Sequence, residues 1–463
     1  MYSRNIFDNI SPLDHRYSLP GEEFAEYAEF LSEKARIKYQ ARVEGALVKV
    51  LARRGICSQE VAREIQAAIE QITPEEVYEE ELKTRHDIRA LVNCIQRKVS
   101  PAARPYVHFT TTSFDIVDTA NSLRFREVSE KLLLPKLYEL EKLLMEIALR
   151  EKDTLQIGRT HGQHAVPITF GFAMAEYVSR LGNRIREVRE KSQKLVGKIA
   201  GAVGAYNASY LFFADPEEFE KEVLAELGLE PGPVSTQIVE PEPMTDFIHA
   251  LVSCFGVLAN LSDDMRHLQR SEIGEVGEYF AAEQVGSSTM PHKRNPINYE
   301  NVKSLWKKFM PGMVTVYMDQ ISEHQRDLTN SASARFLPEI AAGLLMAVQR
   351  LQRVLGRMQV DKENLRKNFD LSKEMIVAEP LYILLASYGH PDAHEAVRRL
   401  TLEAEQKGVP LRELLQEKEE LKAYWERFTE KQRDLLLNPE CYTGIAADKT
   451  VRVVEYWKEE LGI

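Results

Sequence analysis

An all-α chain of three helical domains, the middle one a bundle of long helices, is what this sequence predicts. Three observations carry the prediction. Apolar residues in the centre recur at alternating gaps of three and four over many turns, the spacing of one helix face. No internal repeat, low-complexity tract or strand-rich region breaks that pattern. Glycine and proline gather between the periodic stretches, where helices must stop. The 463 residues divide on these grounds into 1–111, 112–360 and 361–463, the last punctuated by Gly389-His-Pro391, Gly408-Val-Pro410 and Asn438-Pro439.

Taken in order, Ser11-Pro-Leu-Asp-His-Arg-Tyr17 is irregular, and Glu22 to about Arg54 reads as helix with Gly55 as its stop. Two shorter helices follow, the first ending near Gln71, with Lys83-Thr-Arg-His-Asp87 at the opening of the second. The central stripes are Leu133, Leu137, Leu140, Leu144 and Ile147, then Phe170, Met174, Tyr177, Leu181, Ile185 and Val188, then Leu251, Cys254, Leu258, Leu261, Met265 and Leu268. Leu305, Phe309, Met313, Val316 and Tyr317 continue the series, and Leu344, Val348, Leu351, Leu355 and Met358 end it. Long helices with narrow seams imply a bundle. Seams of this length exceed what one chain needs, so association with other copies is expected. Pro135 and Pro311 should each mark a kink or a helix start.

A content of 44% hydrophobic and 28% charged residues is that of a soluble globular protein, and no long uncharged apolar run offers to span a membrane. The start, Met1-Tyr-Ser-Arg-Asn-Ile-Phe-Asp8, lacks the apolar core of a secretory signal, so cytoplasm is the expected location. Cys57, Cys94, Cys254 and Cys441 are scattered, without metal-ligand spacing, and read as buried thiols. A net charge of −11 argues against a general nucleic-acid surface. An anionic ligand would need its cations concentrated in one cleft.

Folding alone does not explain Ala281 to Asn301. Between Gly286 and Pro296 no periodicity survives, and Ser287, Ser288, Thr289, His292, Lys293, Arg294 and Asn295 crowd hydroxyls, cations and an amide into a loop that suits an anion. An ordinary solvated loop has a similar composition. The string Gly-Ser-Ser-Thr-Met-Pro-His-Lys-Arg-Asn-Pro resembles the signature loop of the fumarase/aspartase superfamily, whose members eliminate fumarate from a substituted succinate. Its Pro-His-Lys-Arg-Asn-Pro ending is most like the adenylosuccinate lyase and carboxymuconate-cycloisomerase branches. We take residues 283–297 as this loop.

Gly158-Arg-Thr-His-Gly-Gln-His-Ala-Val-Pro167 lies in a gap between long helices. His161 and His164, three apart with no carboxylate in the run, read better as one proton donor than as a metal pair, and neither metal nor cofactor is expected. The string resembles the adenylosuccinate lyase motif in which the histidine matching His161 is the general acid. His108-Phe-Thr-Thr-Thr-Ser-Phe-Asp-Ile-Val-Asp-Thr-Ala-Asn121 opens a helix, with Ser113 or Asp115 as its cap and its N-terminus as an anion site. In the family the residues matching Thr112 and Ser113 hold a substrate carboxylate; Phe114 stands where a small polar residue is usual.

The remaining roles come from the same resemblance. Arg16, Tyr17, Arg85, His86 and Asp87 match segments that meet the substrate phosphate, and Ser235-Thr-Gln237 one that touches its purine. Lys198-Ile-Ala-Gly-Ala-Val-Gly204 matches a structural turn, and Arg326, Ser331 and Arg335 match groups that bind phosphate and ribose. Ser287 would be the base, with Lys293 and Asn295 stabilising charge, Met290 beside the substrate, Glu300 orienting His161, and His86 a second candidate for assisting the leaving group. The resemblance implies fumarate release from adenylosuccinate and from its imidazole-carboxamide precursor, in homotetramers whose active sites are shared between chains. An argininosuccinate-type lyase and a non-catalytic scaffold of the same fold are the alternatives.

Overall fold

The computed structural model describes residues 5, 8–18, 24–280, 288–290 and 292–463. Glu22, Gly286, Ser287 and Pro291 lie outside them. The fold is all-α, as expected. Helices α1 (Phe24–Leu31) and α2 (Glu33–Arg53) replace the single first helix anticipated. The break falls at Ser32, whose hydroxyl accepts the Ala35 N–H at 3.1 Å and so caps α2. Three helices follow where two are expected: α3 (Gln59–Ile69), α4 (Pro74–Thr84) and α5 (Asp87–Arg97). The extra start is a capping box in which Thr73 and Glu76 satisfy each other's backbone N–H groups just before Pro74.

Next come α6 (Ser113–Val128) and α7 (Leu134–Arg150), joined by a π turn at Ser129–Leu133 that meets Pro135. The segment containing His161 is a β-hairpin, β1 (Leu155–Thr160) and β2 (Gln163–Thr169), and not an irregular gap. Then follow α8 (Phe170–Gln193), α9 (Pro216–Ala225), α10 (Glu242–Leu268), β3 (Val276–Gly277), α11 (Ile297–Phe309) and α12 (Gly312–Met318). Pro311 precedes α12 at its N-cap. The chain closes with α13 (Leu337–Leu355), β4 (Gln359–Val360), α14 (Lys362–Asp370), α15 (Lys373–Ile376), α16 (Ala378–Ser387), α17 (Ala393–Lys407), α18 (Leu411–Glu417), α19 (Glu419–Trp425), α20 (Glu430–Leu437) and α21 (Ala446–Leu461).

The central stripes are buried as their spacing requires, except that Tyr317 is exposed and Leu268 half-buried. Helix α10 is long and apolar enough to cross a membrane by length and composition, against the sequence expectation. Its Phe247, Leu251, Cys254, Leu258 and Leu261 are fully buried, which is how a core helix satisfies the same test. Cys57, Cys94 and Cys254 are buried, but Cys441 is exposed, because it ends a short 3-10 turn at Pro439–Cys441.

The chain separates into two compact units. One comprises Met1–Tyr138, Arg184–Gly256 and Ser304–Val348; the other comprises Glu139–Asn183, Val257–Lys303 and Gln349–Ile463. In the first, α2, α3, α5 and α6 share a core that includes Val43, Leu47, Leu51, Ile65, Leu91 and Ile116, with Phe219 and Val223 of α9. In the second, Leu381, Leu385, Val397, Leu411 and Leu414 belong to a core of the C-terminal helices.

Candidate active site

A cavity of about 830 Å³ opens in the first unit, within the range of small-molecule sites. One face of α6 lines it: Ser113 and Phe114, Val117 and Asp118, Asn121 and Ser122, Arg124 and Phe125 recur at helical spacing. The N-terminus of α6 is held rigidly. Asp115, fully buried, accepts the Thr112 N–H at 2.7 Å and the Ala200 and Gly201 N–H groups at 3.1 and 3.2 Å. It also pairs with the buried Lys198 ammonium, which bonds the Gly201 carbonyl at 3.1 Å. Thr112 is the N-cap, in place of the Ser113 or Asp115 expected; Asp115 closes the capping box from the third helical position, and Ser113 is the first helical residue, on the cavity wall. The turn that matches Lys198–Gly204 binds Asp115 at one end. At the other, Gly204 has φ +77° and no room for a Cβ against the Ser235 carbonyl, so its backbone packs on the loop that carries Gln237.

Around that N-terminus the cavity gathers several expected residues. Arg85, in a left-handed conformation at the C-cap of α4, lines the wall, as do His86, Asp87, Gln237, Ser331 and Arg335. His86 Nδ1 accepts the Arg89 N–H at 3.3 Å as the N-cap of α5. An accepting nitrogen carries no proton, so a neutral ring holds its hydrogen on Nε2, 3.3 Å from Ser113 Oγ. Asp87 is held by Arg36 at 3.3 Å. The Arg326 guanidinium lies 5.8 Å over the Phe114 ring, and its Nε and Nη1 are buried without a hydrogen-bond acceptor. Phe114 thus has a use: it is the apolar floor beneath a cation whose donors await an anion.

Arg16 and Tyr17 do not reach the wall. The 3-10 turn Pro12–Asp14 places Ser11, Leu13 and Asp14 there, and the Tyr17 N–H folds back onto the Pro12 carbonyl at 3.0 Å. Thr112 sits just behind Ser113 and lies outside the lining as well. Asp118 is a lining residue that sequence reading passes over. Its Oδ2 accepts the Val239 N–H at 3.0 Å, and burial pushes its acid up to about 6, against the pull of that bond and of Lys198 and Arg326. Its place three residues after Asp115, on the same strip of helix, is the signal that would have found it.

The second unit holds the other expected residues. His161 and Gly162 form the two-residue turn between β1 and β2, with φ +55° and +74° and Thr160 paired with Gln163 across it, as a hairpin with positive φ at both turn positions requires. The His161 side chain is exposed at the tip. Below it, the fully buried Glu275 accepts from Gln156 and Asn368 at 2.8 Å and from Arg159 at 2.6 Å, which fixes the base of the hairpin. His164 bonds Ser372 Oγ at 2.7 Å, and burial with the neighbouring Arg159 holds its ring below the usual range.

Of the signature loop, Ser287 lies outside the described residues. Ser288, Thr289, Met290 and Lys293 are exposed, Asn295 is half-buried, and the Lys293 N–H returns to the Met290 carbonyl at 3.0 Å. Arg294 lies 5.5 Å over Phe280. Glu278 accepts the Asn298 and Tyr299 N–H groups at 2.9 and 3.0 Å and so caps α11, whose first turn carries the exposed Glu300. Among the described residues no hydrogen bond joins Glu300 to His161. The expected pairing is not made within one chain, because both side chains point to solvent.

A helical body with an anion-ready cavity and a polar loop before α11 defines a helical lyase. Residues 21–310 match the Lyase family model, and residues 322–443 match the Adenylosuccinate lyase C-terminal model. Among solved structures, 3-carboxy-cis,cis-muconate lactonizing enzyme from Pseudomonas putida superposes with a TM-score of 0.82 at 26% identity, over 96% of this chain and 98% of that one. The chain is 36% identical to the adenylosuccinate lyase of Archaeoglobus fulgidus, over 98% of its length and 99% of the relative. It is 36% identical to that of Pyrococcus abyssi, over 97% and 98% respectively. The chain belongs to the adenylosuccinate lyase family.

Proposed function

We propose that this protein releases fumarate from adenylosuccinate, leaving AMP, and from SAICAR, leaving AICAR, by β-elimination across a carbon–nitrogen bond. The observation that carries the reading is the Arg326 guanidinium, unsatisfied over Phe114, beside the His86–Ser113 contact at the start of α6. Thr112, Ser113 and the free N–H groups of the α6 N-terminus take a succinyl carboxylate. Arg85, Asp87, Arg326, Ser331 and Arg335, with Arg16 and Tyr17, hold phosphate and ribose, and Gln237 meets the base.

Ser287 takes the proton from the carbon next to the carboxylate. A hydroxyl does so only when cations and donors favour its alkoxide, which is the part of Lys293 and Asn295, with Met290 against the substrate. The electron pair moves through the forming double bond, the carbon–nitrogen bond breaks, and His161 gives its proton to the departing nitrogen, oriented by Glu300. His86 Nε2–H is a second donor near the bond.

We further propose that several copies complete each site, as a homotetramer with a shared helical core. The exposed His161, Lys293 and Glu300, and the exposed apolar Tyr317, Met318, Ile321, Leu328 and Phe336, support this. The three-part division at 111/112 and 360/361 and a cytoplasmic location belong to the same reading; separate cores in the N-terminal and C-terminal helices support the former. The test is the ultraviolet absorbance of adenylosuccinate mixed with purified protein. A steady change at catalytic protein concentration is expected, and none at stoichiometric concentration ends the proposal. A panel of amino-linked succinates with and without a phosphate checks the substrate class.

A further inference from the structure

The cavity does not end at Arg326 and Phe114. It follows α6 to Arg124, about 16 Å along the helix from Ser113 at ~1.5 Å per residue. Arg124 is 3% exposed, lines the cavity, and has a buried Nε without a hydrogen-bond partner. No ion pair reaches it among the described residues, and its guanidinium carbon lies 5.5 Å from the centre of the Phe125 ring. Glu33, whose charge acts on Arg124, is already engaged: it accepts from Arg36 at 2.5 Å and from the Tyr78 hydroxyl at 2.8 Å.

A guanidinium offers five N–H donors and cannot shed its charge at neutral pH. Burial and the neighbouring Arg36 lower its pKa to about 10, which still leaves it a cation. Taking such a group out of water without an acceptor is costly, and the one direction from which an acceptor can arrive is the cavity. We infer that the far end of the cavity is a second oxyanion site, built on Arg124 and separate from the Arg326 end, that takes the phosphate or carboxylate of a small molecule. This stands apart from the lyase reading, since binding is read directly.

The experiment is calorimetric titration of the full-length protein with inorganic phosphate and, in a second arm, with fumarate, for wild type, Arg124→Leu and Arg326→Met. Wild type should bind one of these anions at a site that Arg124→Leu weakens at least tenfold and Arg326→Met leaves unchanged; which arm responds names the oxyanion. Melting temperature supplies the second readout. Without ligand, Arg124→Leu should melt at or above wild type, because an unpaired buried charge is gone, and added to Arg326→Met it should abolish the rise that the anion causes. Should leucine prevent folding, Arg124→Gln is read in the same way. Anion binding that Arg124 substitution does not alter, in both arms, or an anion-induced melting rise in Arg326→Met that survives the added Arg124→Leu, overturns the inference.

Discussion

Asp115 and His161 mark opposite treatments of a polar residue. In the first unit Asp115 has no exposed surface and is bonded to Lys198 and to backbone N–H groups of Thr112, Ala200 and Gly201, so the helix start that Ser113 presents is fixed before any ligand arrives. In the second unit His161 stands exposed on a two-residue turn, and Lys293 is exposed beside a single backbone bond to Met290. Burial of Asp115 pre-organises the start of α6, which lowers the ordering cost of association there. The hairpin tip and the loop, which the proposed function assigns to proton transfer, stand in water, where their electrostatic effect is weak until something encloses them. Stability and turnover should therefore respond to different residues.

The largest effect expected from that contrast is on turnover. His161→Gln and Ser287→Ala should each lower kcat by about 10² to 10⁴, the usual worth of a positioned acid or base, with melting temperature unchanged. A melting temperature that falls with kcat would mean that His161 supports the hairpin and not the reaction. Mixing His161→Gln with Ser287→Ala protein should restore part of the activity if sites are shared between copies. The opposite pattern belongs to Asp115→Ala, which strands the buried Lys198 ammonium and should cost about 3 to 5 kcal/mol by urea unfolding. Equal stability would show that the α6 start is held by something other than this carboxylate.

The helical body is legible in the sequence because burial and period coincide there. Leu137, Leu140 and Leu144 are buried on one face of α7 at the spacing that a folding chain needs, and nothing else explains that spacing. The hairpin is not legible, since Leu155–Thr169 carries two glycines and a proline, and its strands alternate only against each other. The cavity wall is legible where a motif names it, at Ser113, His86, Gln237, Arg326 and Arg335. It is opaque at Asp118 and Arg124, which look like surface charges on a helix until a cavity is found along that face. A motif match at Arg16 and Tyr17 likewise says nothing of the turn that carries them, and they lie outside the lining of this chain's cavity.

Asp118 sharpens the contrast through pH. Its acid is raised by burial from 3.8 to about 6 in the folded chain, so folding favours the protonated form. The stability this contributes is fully present below about pH 4 and is lost as pH rises through 6, at most about 3 kcal/mol at 1.36 kcal/mol per unit. Asp118→Asn keeps an oxygen for the Val239 N–H but cannot ionise. Its urea midpoint should therefore gain on wild type between about pH 4 and pH 6 and run parallel above about pH 7. A constant difference across the range would remove the ionisation from the account.

The smallest effect is expected at Phe114, and it asks whether the binding half of the contrast depends on packing as well as on charge. Arg326→Met removes charge-assisted bonds and should raise KM by roughly 10- to 100-fold at little change in kcat, about 1.5 to 3 kcal/mol. Phe114→Leu keeps the volume near constant and removes only the ring face beneath the guanidinium, worth about 0.5 to 1 kcal/mol, so KM should rise by roughly two- to fivefold. In Arg326→Met the same Phe114 change should add almost nothing, because a ring with no cation above it has nothing to orient. If the two losses add in full, the ring shapes the cavity on its own account, and the unsatisfied donors of Arg326 are held in place by the backbone that carries them.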